Sequence, residues 1–304
     1  MKLLDEIGRR VLVADGAMGT ELQRSGLPIG QGGERWNLDR ADLIEAIHAA
    51  YIDAGCDVIL TNTFGATRWI LERQGLADRV GEVNRAAARI ARRAAGPARL
   101  VLGDLGPTGH LLEPLGPITR DGLRADAEQR VRALLEEGVD GIICETMTAI
   151  DEAVIAVEAA CEAGAAWVVG SMAFDKRPNG MVRTMMGVSP EEAGRRLRAA
   201  GASMIGANCG THLGVADFAG ILTELAAASG LPVMIQPNAG QPRLDGDRAV
   251  YDMAGDEFAR DMQVVIHAGA AVVGGCCGTG PAHIRALRAA VDASMTQEWG
   301  QSRL

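Results

Sequence analysis

Apolar residues along the chain fall into eight short, nearly continuous runs: residues 11–14, 58–61, 100–103, 141–144, 167–170, 204–207, 233–236 and 271–274. They are rich in Val, Ile, Leu and Met and do not alternate with polar residues, the pattern of parallel strands buried on both faces. Between them lie amphipathic segments such as 42–54 and 191–200, where apolar positions recur at helical spacing. Five helix-to-strand joins share one device, seen in DAGCDVIL, EEGVDGII, EAGAAWVV, AAGASMIG and HAGAAVVG. Each places a glycine (Gly55, Gly138, Gly164, Gly201, Gly269) where a helix ends in a left-handed residue, with a strand following almost at once.

Eight β-then-α units predict a closed (β/α)₈ barrel, a single α/β domain over residues 1–292, with 293–304 as a polar, weakly patterned tail. Loop lengths orient it. Helix-to-strand joins are short, whereas the strand-to-helix loops 16–36, 106–118, 174–188 and 239–255 are long. In barrels the chemistry sits on that second set.

Composition narrows the function. The 304 residues are 48% hydrophobic, enough for a large core, and carry 30 Lys plus Arg against 39 Asp plus Glu, a net charge of -9. Neither nucleic acid nor an anionic membrane suits an acidic chain as principal partner. The start MKLLDEIGRR is polar and no apolar run approaches the roughly 18 residues of a membrane span, so a cytoplasmic protein is expected. In a reducing compartment its six cysteines are metal ligands, nucleophiles or core residues rather than disulfides.

Three of them sit where a barrel places its active site. Cys209 lies in GANCG at the end of the sixth strand, and Cys276 and Cys277 lie in GGCCG at the end of the eighth. Consecutive strand residues point to opposite faces, so both members of the pair can face one metal only if the backbone turns sharply. Gly274, Gly275 and Gly278 permit that turn. Three thiolates suit Zn²⁺ with one open position. Asn238 in PNAG, between the two cysteine-bearing strands, is placed either to offer a displaceable oxygen or to hold a turn. His212 is a weaker ligand candidate. His48, His110, His267 and His283 read as helix or loop residues without a partner, and Cys56, Cys144 and Cys161 as core residues.

An open zinc with three thiolates is electron-rich and suited to binding a fourth, substrate thiolate, whose simplest reaction is methylation of sulfur. DGAMGTELQRSG, TNTFGAT, GANCG, PNAG and GGCCGTGPAHIRAL together resemble the zinc-dependent homocysteine S-methyltransferases. That family includes the homocysteine module of cobalamin-dependent methionine synthase and betaine–homocysteine methyltransferase. The resemblance runs from about residue 10 to 292. It implies a (β/α)₈ barrel, zinc on Cys209, Cys276 and Cys277, and homocysteine as methyl acceptor with methionine as product. It implies further that Asp15, Gly16 and the loop amides from Ala17 onward, with Glu145 of ICET, hold the amino-acid end of homocysteine. Asn62 of TNTF and Ser171 of GSMAF are strand-end polar residues placed either to touch substrate or to close the rim. Thr184, Met185 and Met186 lie on the fifth strand-to-helix loop, as cover or packing.

GPTGHLLEPLG and RTMMGVSPEEA resemble bacterial betaine-type members, and betaine or a related methylated compound is the expected donor. WNLDRADLIEAIHAAY is closer to the methionine-synthase module. Betaine's quaternary ammonium calls for aromatic faces, and the rim candidates are Trp36, Phe64, Trp69, Phe174 and Tyr251. The alternatives are S-methylmethionine or a methylcorrinoid on a separate protein, since 304 residues hold no cobalamin module. Two other classes remain open: a zinc barrel for a different thiol, and a non-catalytic zinc barrel that is the partner of a corrinoid protein. A homo-oligomer is possible.

Overall fold

Each of the eight apolar runs forms a strand. In a computed structural model describing residues 3–246 and 248–301, these are β1 (Leu12–Val13), β2 (Val58–Leu60), β3 (Leu100–Leu105), β4 (Gly141–Met147), β5 (Val168–Met172), β6 (Met204–Asn208), β7 (Val233–Gln236) and β8 (Val272–Val273). All pair in parallel, in the order β1-β8-β7-β6-β5-β4-β3-β2. The ring closes between its first and last members through a parallel bridge of Ala14 to Val58. Asp15 N donates to Val58 O at 2.9 Å and Asp57 N to Val13 O at 2.6 Å along the same seam. At the N-terminal end of the seam the Asp57 carboxylate accepts from Val13 N at 3.0 Å and pairs with Arg10 and Arg288.

A helix follows every strand: α1 (Ala41–Asp53), α2 (Val80–Ala95), α3 (Arg120–Glu136), α4 (Ile150–Glu162), α5 (Pro190–Ala199), α6 (Phe218–Ser229), α7 (Gly255–His267) and α8 (Pro281–Gln301). The result is a (β/α)₈ barrel. Local chemistry sets several starts: Thr119 Oγ1 caps α3 by accepting from Gly122 N, and Ser189 Oγ caps α5 by accepting from Glu192 N ahead of Pro190. All five join glycines have positive φ, between 80° and 101°, so each helix is turned into its strand without a Cβ penalty.

Strand alternation divides the core in two. Leu12, Ala14, Leu100, Leu102, Ile143, Trp167, Val169, Met204, Met234 and Val272 fill the barrel interior. Val13, Ile59, Val101, Ile142, Val168, Ile205, Val233 and Val273 face the helices. The expected tail differs: residues 293–301 continue α8, and Met295 packs on the helix-facing core, which extends the helix past the last clear sequence period. Residues 302–304 lie outside the described residues. Among the described residues no helix is long and apolar enough to cross a membrane.

Candidate metal centre and substrate pocket

The inward alternation that fills the barrel with Leu, Ile and Val changes character at its C-terminal end. The last inward positions are Asp104 on β3, Glu145 on β4, Ser171 on β5, Asn208 on β6 and Gln236 on β7. A layer of polar groups therefore floors the mouth above an apolar plug.

Cys209, Cys276 and Cys277 lie at this mouth with their three Sγ atoms within 4.8 Å of one another. The backbone achieves this in two ways. Cys209 leaves β6 with φ of 57°, a left-handed turn that a non-glycine residue adopts only when held there. Its N–H donates to Gln236 O at 3.2 Å. After β8, Gly274 N donates to Ile235 O, Gly275 N to Asp15 O and Cys276 N to Pro237 O, and Thr279 N closes the turn on Cys276 O. Gly278 has φ of 82°, and a Cβ there would lie 2.2 Å from Tyr251 Cβ, so the ring of Tyr251 is laid over a glycine. Its hydroxyl hydrogen-bonds Cys277.

The thiols share one charge. Hydrogen bonds from Cys276 and Cys277 pull the Cys209 thiol down to about 3, with further help from the Gly210 N–H and the Asn238 amide. The same bonds push Cys276 well up, and Cys277 to about 12. Three sulfurs gathered this closely fit a soft, thiophilic cation. Asn238 is buried, its Nδ2 donates to Gly210 O at 3.1 Å, and its Oδ1 has no hydrogen-bond partner among the described residues. The three sulfurs make a donor set that zinc fits. His212 is exposed, has φ of 59°, and stands outside the cluster.

The loops after β1 and β8 are joined edge to edge. Ala17 N donates to Thr279 Oγ1 at 3.1 Å and Gly278 N to Thr20 Oγ1 at 3.1 Å. A Cβ on Gly16 would lie 2.7 Å from Thr279 Oγ1, so only glycine fits between the two loops. Asp15 is buried beside them, with Oδ2 accepting from Leu60 N at 2.9 Å. Burial, reinforced by Glu145, holds its carboxyl well above the usual range. Glu145 is partly open to the mouth, and desolvation with the charge of Cys209 pushes it up to about 8.

Asn208 ties this floor together. Its Oδ1 accepts from Thr146 N at 2.9 Å and from Ser171 Oγ at 2.7 Å, and its Nδ2 donates to Thr146 Oγ1 at 2.6 Å and Glu145 Oε2 at 3.4 Å. Ser171 therefore serves the floor. Asn62 is likewise engaged elsewhere: its Nδ2 donates to Gly33 O and Asn37 Oδ1 at 3.0 Å each, and its own carbonyl accepts from Asn37, which clamps the loop after β1.

Asn208, Asp104, Gln236, Thr146 and Thr279 were not singled out by the sequence motifs. Counting every second residue along each strand would have found the first three, because inward parity is set by the apolar residues below them.

Cys56 and Cys144 are buried core residues, with Cys144 pushed up to about 12 by burial, and Cys161 Sγ donates to Gly201 O. The histidines need one correction. His283 accepts from Gly280 N and meets Met253 O at 2.9 Å, and His267 Nδ1 meets Gln263 O, so these two rings have partners. A helical pattern does not reveal such contacts with loops and the preceding turn. His48 is fully buried with neither ring nitrogen bonded.

The rim aromatics are engaged separately. Arg40 sits over the Trp36 ring at 5.4 Å, Phe174 is buried in the core, and Trp69 packs with Ile118, Leu123 and Ile155. Phe64 lies against Gly106 and Tyr251 against Gly278. Thr184 is buried, whereas Met185 and Met186 are exposed.

The profile of the homocysteine S-methyltransferase family matches residues 12–291. A methionine synthase of Mycobacterium tuberculosis (strain ATCC 25618 / H37Rv) is 35% identical over 314 residues, covering 95% of this chain and 25% of that protein. Methionine synthase of Mycobacterium leprae (strain TN) is 33% identical with the same coverage. This chain thus spans about a quarter of the length of these relatives. Among solved structures, the metallated homocysteine methyltransferase MmuM from Escherichia coli superposes with a TM-score of 0.77 at 25% identity, covering 94% of this chain and 98% of that one. Its apo form gives 0.71 at 26% identity, covering 95% and 98%.

Proposed function

Because this chain belongs to the homocysteine S-methyltransferase family, we propose that it methylates the sulfur of homocysteine to give methionine, using zinc on Cys209, Cys276 and Cys277. The observation that carries this reading is the convergence of three thiols within 4.8 Å at the mouth of the barrel. A zinc ion bound there supplies a position that holds the substrate sulfur as a thiolate at neutral pH, where a free thiol with pKa of about 8.5 is mostly protonated.

The chain's own residues do the rest. Asn238, bonded to Gly210 O, would steady the turn that presents Cys209 to the metal. Asp15 and Glu145 receive the substrate ammonium, and the turn from Gly16 and Ala17 lies against its carboxylate. Asn208 and Ser171 hold Glu145 and the end of β4 at Thr146 in place, while Asn62 fixes the loop after β1. In the transfer, a sulfur lone pair forms the new S–C bond as the donor's bond to the methyl carbon breaks with its electron pair, and the thiol proton is released.

For the donor we infer a methylcorrinoid carried by another protein or module. Of the rim aromatics, Phe174 is buried, Trp69 packs with Ile118, Leu123 and Ile155, and Arg40 covers Trp36, which leaves Phe64 and Tyr251 for a quaternary ammonium. Ile29, Phe64, Leu111, Leu115, Met181, Met185, Met186 and Leu244 instead stand exposed on strand-to-helix loops around the mouth. Their placement on the loops of one barrel end favours a partner that covers that end. The methionine synthase relatives, of which this chain spans a quarter, support the same reading.

Methionine formation from homocysteine, assayed in parallel with methylcobalamin, betaine and S-methylmethionine, tests both parts. Turnover with methylcobalamin is expected. Turnover with betaine alone would overturn the donor, and no methionine from any of the three would overturn the acceptor.

A further inference from the structure

At the C-terminal end of the barrel, buried acceptor atoms have no hydrogen-bond partner among the described residues. Asp104 is the last inward residue of β3, in line with Leu100 and Leu102 of the interior plug. It is 4% exposed, and its Oδ1 has no hydrogen-bond partner. Its backbone is fully used: N–H donates to Thr61 Oγ1, and the carbonyl accepts from Thr63 Oγ1 at 2.7 Å. The nearest cation, Arg130 on α3, reaches carbonyl oxygens instead, Thr63 O at 3.0 Å and Asp104 O at 3.5 Å. Among the described residues no ion pair involves the Asp104 carboxylate.

Gln236, the last inward residue of β7, repeats the pattern without a charge. It is 3% exposed, and its Oε1 is also unpartnered. Its Cγ stands 3.3 Å from where a Gly274 Cβ would be, a point that is 3.0 Å from Asp15 O. Gln236 therefore borders the Asp15 side of the mouth, and Asp104 neighbours Glu145 across β3 and β4. Burial and the proximity of Glu145 hold the Asp104 carboxyl well above its usual range. Leaving such groups unpaired inside a protein is costly, and a ligand that brings N–H donors and positive charge relieves it.

We propose that Asp104 is a substrate-recognition residue that accepts a hydrogen bond and charge from the substrate's α-ammonium group. This inference rests on the homocysteine reading above and adds to it. An ammonium has three N–H bonds to place. Asp15 already spends Oδ2 on Leu60 N, and Glu145 receives Asn208 Nδ2 on Oε2. Asp104 is the acid of the three with a buried carboxylate oxygen that has no hydrogen-bond partner among the described residues. The receptor selects α-amino thiols over simple thiols and thiol acids, because these leave the buried oxygens unpaired.

Calorimetric titration of the zinc-loaded wild type and Asp104→Asn with homocysteine and with 4-mercaptobutanoate tests this. The second ligand keeps the thiol and carboxylate but lacks the ammonium. D104N is expected to bind homocysteine about 30-fold or more weakly, as for loss of one partner of a buried charged pair, and 4-mercaptobutanoate within about twofold of wild type. Unchanged homocysteine affinity, or equal loss for both ligands, overturns the proposal while leaving the methyl-acceptor reading intact. Wild type that binds neither thiol overturns that reading and this inference with it. Should D104N fail to fold, Asp104→Ser carries the same comparison: a loss confined to homocysteine supports the proposal, and no loss overturns it.

Discussion

Replacing Asn208 by Ala removes one side chain and disconnects three strands. Its Oδ1 accepts from Thr146 N at 2.9 Å on β4 and Ser171 Oγ at 2.7 Å on β5, while Nδ2 donates to Thr146 Oγ1 at 2.6 Å. Each of these three bonds contributes about 1 kcal/mol net. The Thr146 N–H is then stranded on a residue whose φ of 57° depends on being held, which adds about 1 kcal/mol or more. The expected destabilisation of Asn208→Ala is thus about 4 kcal/mol. Urea unfolding followed by far-ultraviolet circular dichroism should show a lower midpoint with an unchanged slope, the signature of altered stability without altered compactness. Asn208→Asp keeps both acceptor bonds and should lose about half as much. It turns a carboxylate toward Glu145 Oε2 and Cys276 Sγ, 3.4 and 3.8 Å from the present Nδ2, so metal affinity should suffer more than stability. An N208A protein within 1 kcal/mol of wild type would refute the view that this residue organises the floor of the site.

Two further outcomes follow from the structure. Cys277→Ala should lose zinc and methionine formation together while the circular dichroism of the barrel is retained; activity persisting in metal-free C277A would sink the proposed mechanism. His48, buried without a partner, is held down at about 4 by desolvation. As pH falls below its ordinary 6.5, the unfolded chain takes up a proton that the folded one refuses until about pH 4. Stability is therefore intact above pH 6.5 and should fall by about 3 kcal/mol on acidification to pH 4, at roughly 1.4 kcal/mol per pKa unit. Subtracting the pH dependence of His48→Leu isolates this contribution from the buried carboxyls, and identical slopes for the two proteins would count against it.

Much of the fold was legible because barrel strands are buried on both faces. Continuous apolar runs located all eight, and the join glycines marked where five helices give way to strands. The clustered cysteines were legible for a different reason: paired thiols between glycines, with a third at a nearby strand end, need a sharp turn that brings the sulfurs together. The polar floor was not legible in the same way. Asp104, Asn208 and Gln236 are single polar residues at the ends of apolar runs, and sequence alone does not separate an inward strand end from a solvated loop start. The expected betaine cage illustrates the converse. Five aromatics on rim loops looked available, but Trp36, Trp69 and Phe174 were each taken by a neighbour that only the folded chain supplies.

The amino-acid sequence by itself determined the barrel, the side on which its chemistry lies, and the three sulfurs at its centre. These depend on period, on glycine conformation and on residue type, which are local properties. The tertiary structure decided which polar groups are already paired. It spends Asn62 and Ser171 on the scaffold and leaves Asn238, Gln236 and Asp104 with unsatisfied oxygens at the mouth. Hydrogen-bond satisfaction is a property of neighbours brought from eight different strands, so it exists only once the ring has closed.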